Sequence, residues 1–197
     1  TLAAYKAGSW VDKFVMIFSV AGFSIPVFVL GYILVYIFAM ELRWLPVQGY
    51  RSPFDDGFLL FLKHITMPAV TLSVIYIALI SRMTRASVVE VLNEDYVRTA
   101  RAKGQSEFKI LLRHALPNAA VPIVTVLGIS IALMIGGVVV TESVYNIPGL
   151  GRLVLDAVLS RDYGVIQGLI LFFSFIYIFI NLLIDLSYTL IDPRIRY

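Results

Sequence analysis

Residues 14–40 read FVMIFSVAGFSIPVFVLGYILVYIFAM, 27 positions without one charged side chain. A helix rises about 1.5 Å per residue, so this run would be roughly 40 Å long. The hydrocarbon core of a bilayer is about 30 Å thick, and such a helix crosses it with tilt. Pro26 sits inside the run. Proline lacks an N–H and would break a helix in water, but a membrane helix tolerates it where neighbours satisfy the freed carbonyl.

Further along the chain three more uncharged runs follow, at 65–81, 115–141 and 163–184. Lys63 and His64 precede the first, Arg82 ends it, and Asp185 closes the last. Pro68, Pro117 and Pro122 lie in or at the edge of these runs; like Pro26, each reads as a packing kink or as a hinge beside a solute path. Composition points the same way. Of 197 residues 59% are hydrophobic and 15% charged, with a mean hydropathy of +0.87. Soluble domains average about 45–50% apolar and about 25% charged. A chain of this size has no interior for the excess, which belongs in lipid. The expected fold is an all-α membrane protein with four transmembrane helices in this chain. Cysteine is absent, which excludes a disulfide framework and a thiolate metal site. The chain opens on Thr1, and TLAAYKAGSW has no signal-peptide layout. It reads as the C-terminal part of a longer polypeptide.

Basic residues set the expected orientation. The connection 82–114 carries seven Lys and Arg; Lys6, Lys13, Arg194 and Arg196 bring that side to eleven. The other side has five: Arg43, Arg51, Lys63, Arg152 and Arg161. Both termini and the 82–114 connection are therefore expected in the cytoplasm. The outer loops carry turn chemistry. In YNIPGLGR, Pro148, Gly149 and Gly151 form a tight turn or, alternatively, a docking surface for an external partner, with RLVLDAVL behind them as a short helix.

The cytoplasmic connection holds DYVRTARAKGQ, from Asp95 to Gln105. Asn93 is placed to cap a helix, with Glu94 and Asp95 in its first turn, Arg101 and Lys103 near its end, and Gly104 as the stop. Val97, Ala100 and Gly104 share one smooth face. So short a helix is marginal alone in water. It is held either by lipid headgroups or by a partner's groove.

This region resembles the cytoplasmic signature of binding-protein-dependent ABC importer permeases, which is Glu-Ala-Ala, three residues, Gly, nine residues, then Ile-x-Leu-Pro. Arg98, Thr99 and Ala100 stand at the first three places, Gly104 at the glycine, His114 at the isoleucine, and Leu116 and Pro117 at the Leu-Pro. The spacing matches throughout. The departures, Arg98, Thr99 and His114, are similar to the dipeptide/oligopeptide/nickel branch, as are ISRMTRASVVEVL, ESVYNIPGLGRLVLDAV and the terminal DPRIRY. The opening AAYKAGSWVDK resembles the stretch after the second membrane helix of such permeases.

The resemblance implies a permease domain over residues 1–197 that lacks two of six membrane helices, in the cytoplasmic (inner) membrane of a bacterium. It implies a coupling helix, in which Asp95, Tyr96, Val97, Arg98, Thr99, Ala100, Arg101, Ala102, Lys103 and Gly104, with Leu116 and Pro117, meet an ATPase. It also implies Pro148, Gly149 and Gly151 as a loop facing a binding protein. The implied partners are a second permease, two ATPase subunits carrying ATP and magnesium, an extracytoplasmic solute-binding protein and the lipid bilayer. No cofactor in this chain and no nucleic acid is implied. Dipeptides, longer peptides, glutathione-like compounds and nickel chelates all remain open as cargo.

Other chemistry finds little support in the residues. His64 and His114 lie near opposite faces by this topology, and no HExxH, CxxC or GxxxxGK[ST] occurs. GISIA around Ser130 lacks the second glycine of a nucleophile elbow. Asp185 and Glu142 read either as interfacial residues or as functional acids. An intramembrane enzyme thus has no catalytic set, whereas a channel or secondary transporter differs from an ABC permease in needing no ATPase.

Overall fold

The computed structural model describes residues 1–191, and the regular structure among them is helical throughout. The closing DPRIRY lies outside the described residues. A single turn, α1 (Leu2–Tyr5), precedes α2 (Trp10–Ser24). Ile25 and Pro26 then interrupt the chain before α3 (Val27–Leu34), which continues as a π-helical stretch, Val35–Glu41. The run 14–40 is therefore two helices, parted at the position where Pro26 reads as a kink or a hinge. Pro26, at φ −58° and ψ 141°, is extended. It offers no N–H to a preceding turn, and its ring pushes the residue before it out of the helical region.

The next helix, α4 (Phe58–Leu92), is far longer than the apolar window 65–81. Lys63 and His64 at one end and Arg82 and Arg85 at the other lie within it. Charge bounds the apolar stretch without ending the helix, because nothing at those positions withdraws a backbone donor. Pro68 is also inside α4. After it come α5 (Asp95–Ala102), α6 (Glu107–Ile110), a π-helical turn at Leu111–Ala115, α7 (Leu116–Asn118) and α8 (Ala120–Tyr145). The chain continues with α9 (Leu150–Ser160) and α10 (Tyr163–Ile191). By length and composition α4, α8 and α10 suffice to cross a membrane, and the α2–α3 pair supplies a fourth if the broken helix counts as one span.

Two compact units divide the chain. The first comprises Thr1–Gly22, Ile77–Ser130 and the chain from Phe179; the second comprises Phe23–Tyr76 and Ile131–Ile178. In the first unit Ala4, Val88, Leu111, Ala115 and Ala119 are buried together. Three alanines in this set let backbones approach closely, which is how membrane helices gain dispersion contact without a hydrophobic driving force. Asp12 and Arg85 form a bidentate ion pair there, with Arg85 Nη2 donating to Asp12 Oδ2 at 2.7 Å.

In the second unit Tyr145 is 2% exposed and its hydroxyl meets Thr71 Oγ1 at 2.8 Å. The Met67 carbonyl lies 2.8 Å from the Thr71 hydroxyl and the Gly31 carbonyl 3.3 Å from the Tyr145 hydroxyl; when Thr71 donates to Met67, Tyr145 donates to Thr71 along the shorter of its two contacts. Gly31 is small for a reason visible in place: a Cβ there would stand 3.2 Å from the Val144 side chain. Tyr145→Phe removes one buried donor but leaves Thr71 bonded within its own helix. The expected loss is about 0.5–1.5 kcal/mol of stability, read as a modest fall in thermal midpoint.

Candidate functional site

The candidate coupling segment folds as a short hairpin in the first unit. Its entry differs from the expected cap. Because α4 runs to Leu92, Asn93 is still engaged with the last turn: its backbone N–H donates to Glu90 and its side-chain amide to Val89, at 3.0 Å. Glu94 takes the cap position in an extended conformation and makes no side-chain cap bond. Asp95 begins the helix and α5 ends at Ala102, with Lys103 following. Gly104 then turns at φ +75° while its N–H donates to Arg101 at 2.9 Å. This left-handed conformation costs an L-residue about 1–2 kcal/mol. Gly104→Val is expected to lose at least that from the hairpin, seen as faster protease cleavage between residues 95 and 110.

The faces of α5 overturn one expectation. Val97 is fully buried and Ala100 nearly so, packed with Ile110 and, at the edge, Leu92. The Val97 and Ala100 part of the smooth face is covered by this chain's own α6, while Gly104 at its end stays exposed. Burying Ile110 alone contributes about 1.5–3 kcal/mol. Asp95, Tyr96, Arg98, Thr99, Arg101, Ala102 and Lys103 are exposed, as is Phe108 on α6. Arg101 reaches Glu107 through two hydrogen bonds of 2.8 and 3.3 Å, clipping α5 to α6, while Arg98 pairs with Asp95 at 3.4 Å.

The base of the hairpin is tied by His114 and by Gln105 and Asn118, which the signature spacing does not single out. His114 Nε2 meets Gln105 Oε1 at 2.8 Å. The Asn118 amide donates to the His114 carbonyl at 2.6 Å, and the Tyr96 hydroxyl lies 3.5 Å from the same oxygen. Burial pushes the Tyr96 phenol above its ordinary pKa, with the charge of Glu94 adding to the effect and a hydrogen bond with Asn118 opposing it. Pro117 brings no N–H, and the turn before it widens: Leu116 N–H donates five residues back, to Leu111. Leu116 packs on the Val88–Leu111–Ala115 cluster and anchors the hairpin from within, whereas Pro117 is exposed.

The turn at Pro148, Gly149 and Gly151 belongs to the second unit. Gly149 caps α9 in an extended conformation. A Cβ on Gly149 would collide with the Glu142 carboxylate, and one on Gly151 would stand 2.7 Å from Val139 Cα. Glu142 Oε2 accepts the Arg152 backbone N–H at 2.8 Å. The carboxylate thus satisfies a free donor in the first turn of α9, where the helix dipole also favours negative charge. Glu142 has a structural occupation that its position near the end of an apolar run could not reveal. Pro148 is exposed beside these glycines.

The family described as "Binding-protein-dependent transport system inner membrane component" matches residues 1–197. This chain belongs to that family. Two relatives bear on it further. A protein named as a probable peptide ABC transporter permease, y4tP of Sinorhizobium fredii, is 59% identical over 196 residues, covering 100% of this chain and 62% of its own length. The glutathione transport system permease protein GsiC of Escherichia coli K12 is 46% identical over 196 residues, covering 100% of this chain and 61% of its own. The chain therefore spans less than two thirds of the relatives it matches. In this transport-system inner membrane component, the segment from Asp95 to Gly104 and the turn at Pro148, Gly149 and Gly151 are the two features that local sequence makes prominent. The Asp12–Arg85 pair escapes such a reading because its partners are 73 positions apart and each looks like an ordinary loop charge.

Proposed function

We propose that this chain is part of the permease subunit of an ATP-driven importer that moves peptides or a related small solute across a bacterial cytoplasmic membrane. The observation that carries the reading is the match over residues 1–197 to an inner membrane component of binding-protein-dependent transport. The names of the relatives, one for peptides and one for glutathione, favour small peptide-like cargo. In this reading the subunit pairs with a second permease. An extracytoplasmic binding protein delivers solute to the outer face near Pro148, Gly149 and Gly151. Two ATPase subunits, which hold the ATP and magnesium, grip the exposed face of α5 and α6. The chain performs no covalent chemistry; closure of its partners biases its helices between two arrangements.

The test reconstitutes the full-length subunit with its partner permease, ATPases and binding protein in proteoliposomes. Uptake of a labelled peptide is expected only with ATP inside. Equal entry without ATP would favour a channel or secondary transporter instead. Orientation is checked with single cysteines, since these 197 residues contain none. Gly49 turns at φ +99° and is a strained site for cysteine, so Phe54 and Asp162 serve for the outer loops and Phe108 for the hairpin. The first two are expected to react with an impermeant thiol reagent in intact cells and the third is not.

A further inference from the structure

The first turn of α2 carries a charge arrangement that neither the hairpin nor the outer turn uses. Between Thr1 and Gly22 the charged residues are Lys6, Asp12 and Lys13. Asp12 is 4% exposed and both its oxygens are engaged inside the first unit. Arg85 Nε binds Oδ1, while Arg85 Nη2 at 2.7 Å and the Gly8 N–H at 2.8 Å share Oδ2. The one acid of the segment is thereby withdrawn from the surface, and Lys6 and Lys13 are left exposed. A turn bonded from Ser9 N–H to the Lys6 carbonyl, followed by Lys13 N–H to the Ser9 carbonyl, brings both lysines to the start of α2. Trp10 is 85% exposed between them, with Lys13 Nζ 5.9 Å from its ring centroid. Phe14 and Ile17, at 71% and 67% exposure, continue the Trp10 face at helical spacing, while Asp12, Ser19 and Gly22 form the buried face.

We propose that this end of α2 seats the headgroup of an anionic phospholipid. The phosphate lies between Lys6 and Lys13, Trp10 sits at the level of the glycerol, and an acyl chain follows Phe14 and Ile17. Each element matches a separate part of that molecule: basic ammonium groups the phosphate, an amphipathic ring the polar–apolar boundary, an apolar stripe the hydrocarbon. The Asp12–Arg85 pair has a role here beyond packing, because a free carboxylate at position 12 would cancel one lysine.

The experiment measures lipid retention by native mass spectrometry on the full-length subunit in detergent, titrated with phosphatidylglycerol or phosphatidylcholine. Phosphatidylglycerol is expected to bind preferentially, with the preference falling as salt rises. Lys6→Gln with Lys13→Gln is expected to weaken it about 25-fold, roughly fivefold for each lysine, and Lys6→Arg with Lys13→Arg to retain it. Lys109→Gln with Arg113→Gln removes the same charge elsewhere on the first unit and is expected to leave binding unchanged. Equal retention of the two lipids, equal losses from both neutralised pairs, or inorganic phosphate competing as well as the lipid would each overturn the assignment.

Discussion

Gly151→Val is expected to detach α9 from α8 and to destabilise the second unit by more than Tyr145→Phe does. The new side chain would begin 2.7 Å from Val139 Cα and 2.8 Å from Val139 N. Backbone atoms inside a long helix cannot move aside as a flexible side chain can. Overpacking a well-filled site costs about 1–3 kcal/mol even where neighbours adjust, and here the Glu142 contact to Arg152 N–H is lost as well. The measurement is protease access to residues 146–162 in the membrane-inserted subunit, together with its thermal midpoint. Gly151→Ala is expected to show a smaller effect in the same direction. Wild-type protection in the valine variant would mean that α9 is not seated on α8 in the way the close approach requires.

Ala102→Trp is expected to abolish recovery of the ATPase subunits while the hairpin stays folded. Ala102 is exposed, on the side of α5 away from Ile110. A bulky ring there meets no atom of this chain that its own burial depends on, but it stands where a partner groove would close. Ala100→Trp gives a different result. Ala100 is packed on Ile110, so a tryptophan must push α5 off α6, exposing the hairpin to protease whether or not any partner binds there. The two variants separate fold from docking: co-purification of the ATPases reads the first, and proteolysis after Arg101 or Lys103 reads the second. Normal ATPase recovery and normal uptake by Ala102→Trp would sink the coupling role of this face.

These two sites also mark where sequence is legible and where it is not. The apolar runs identify α4, α8 and α10, because a bilayer demands uncharged length and little else competes to produce it. Helix ends are less visible. Charges at Lys63 and Arg82 bound the apolar window, yet α4 passes through both, since exposed charge is compatible with helix. Pro26 reads as a packing kink or a hinge, and which of the two is not legible: the helix ends at Ser24 and resumes at Val27. In the hairpin, the glycine stop at Gly104 is readable from residue type, whereas the covering of Val97 and Ala100 is not: periodicity identifies a face but not what lies against it, and Ile110 is supplied from beyond the turn. The outer glycines are readable as a turn. That they shelter the Glu142 carboxylate depends on a contact across the corner between α8 and α9, which no local pattern encodes.

The clip between Arg101 and Glu107 and the plug of Ile110 under α5 mean that the hairpin is finished before anything docks on it. A segment that folded only upon contact would spend part of its binding free energy on ordering itself, and would be limp when unbound. In the proposed coupling role this one would meet its partner as a preformed tooth. An ATPase would then leave and return without the tooth having to be rebuilt.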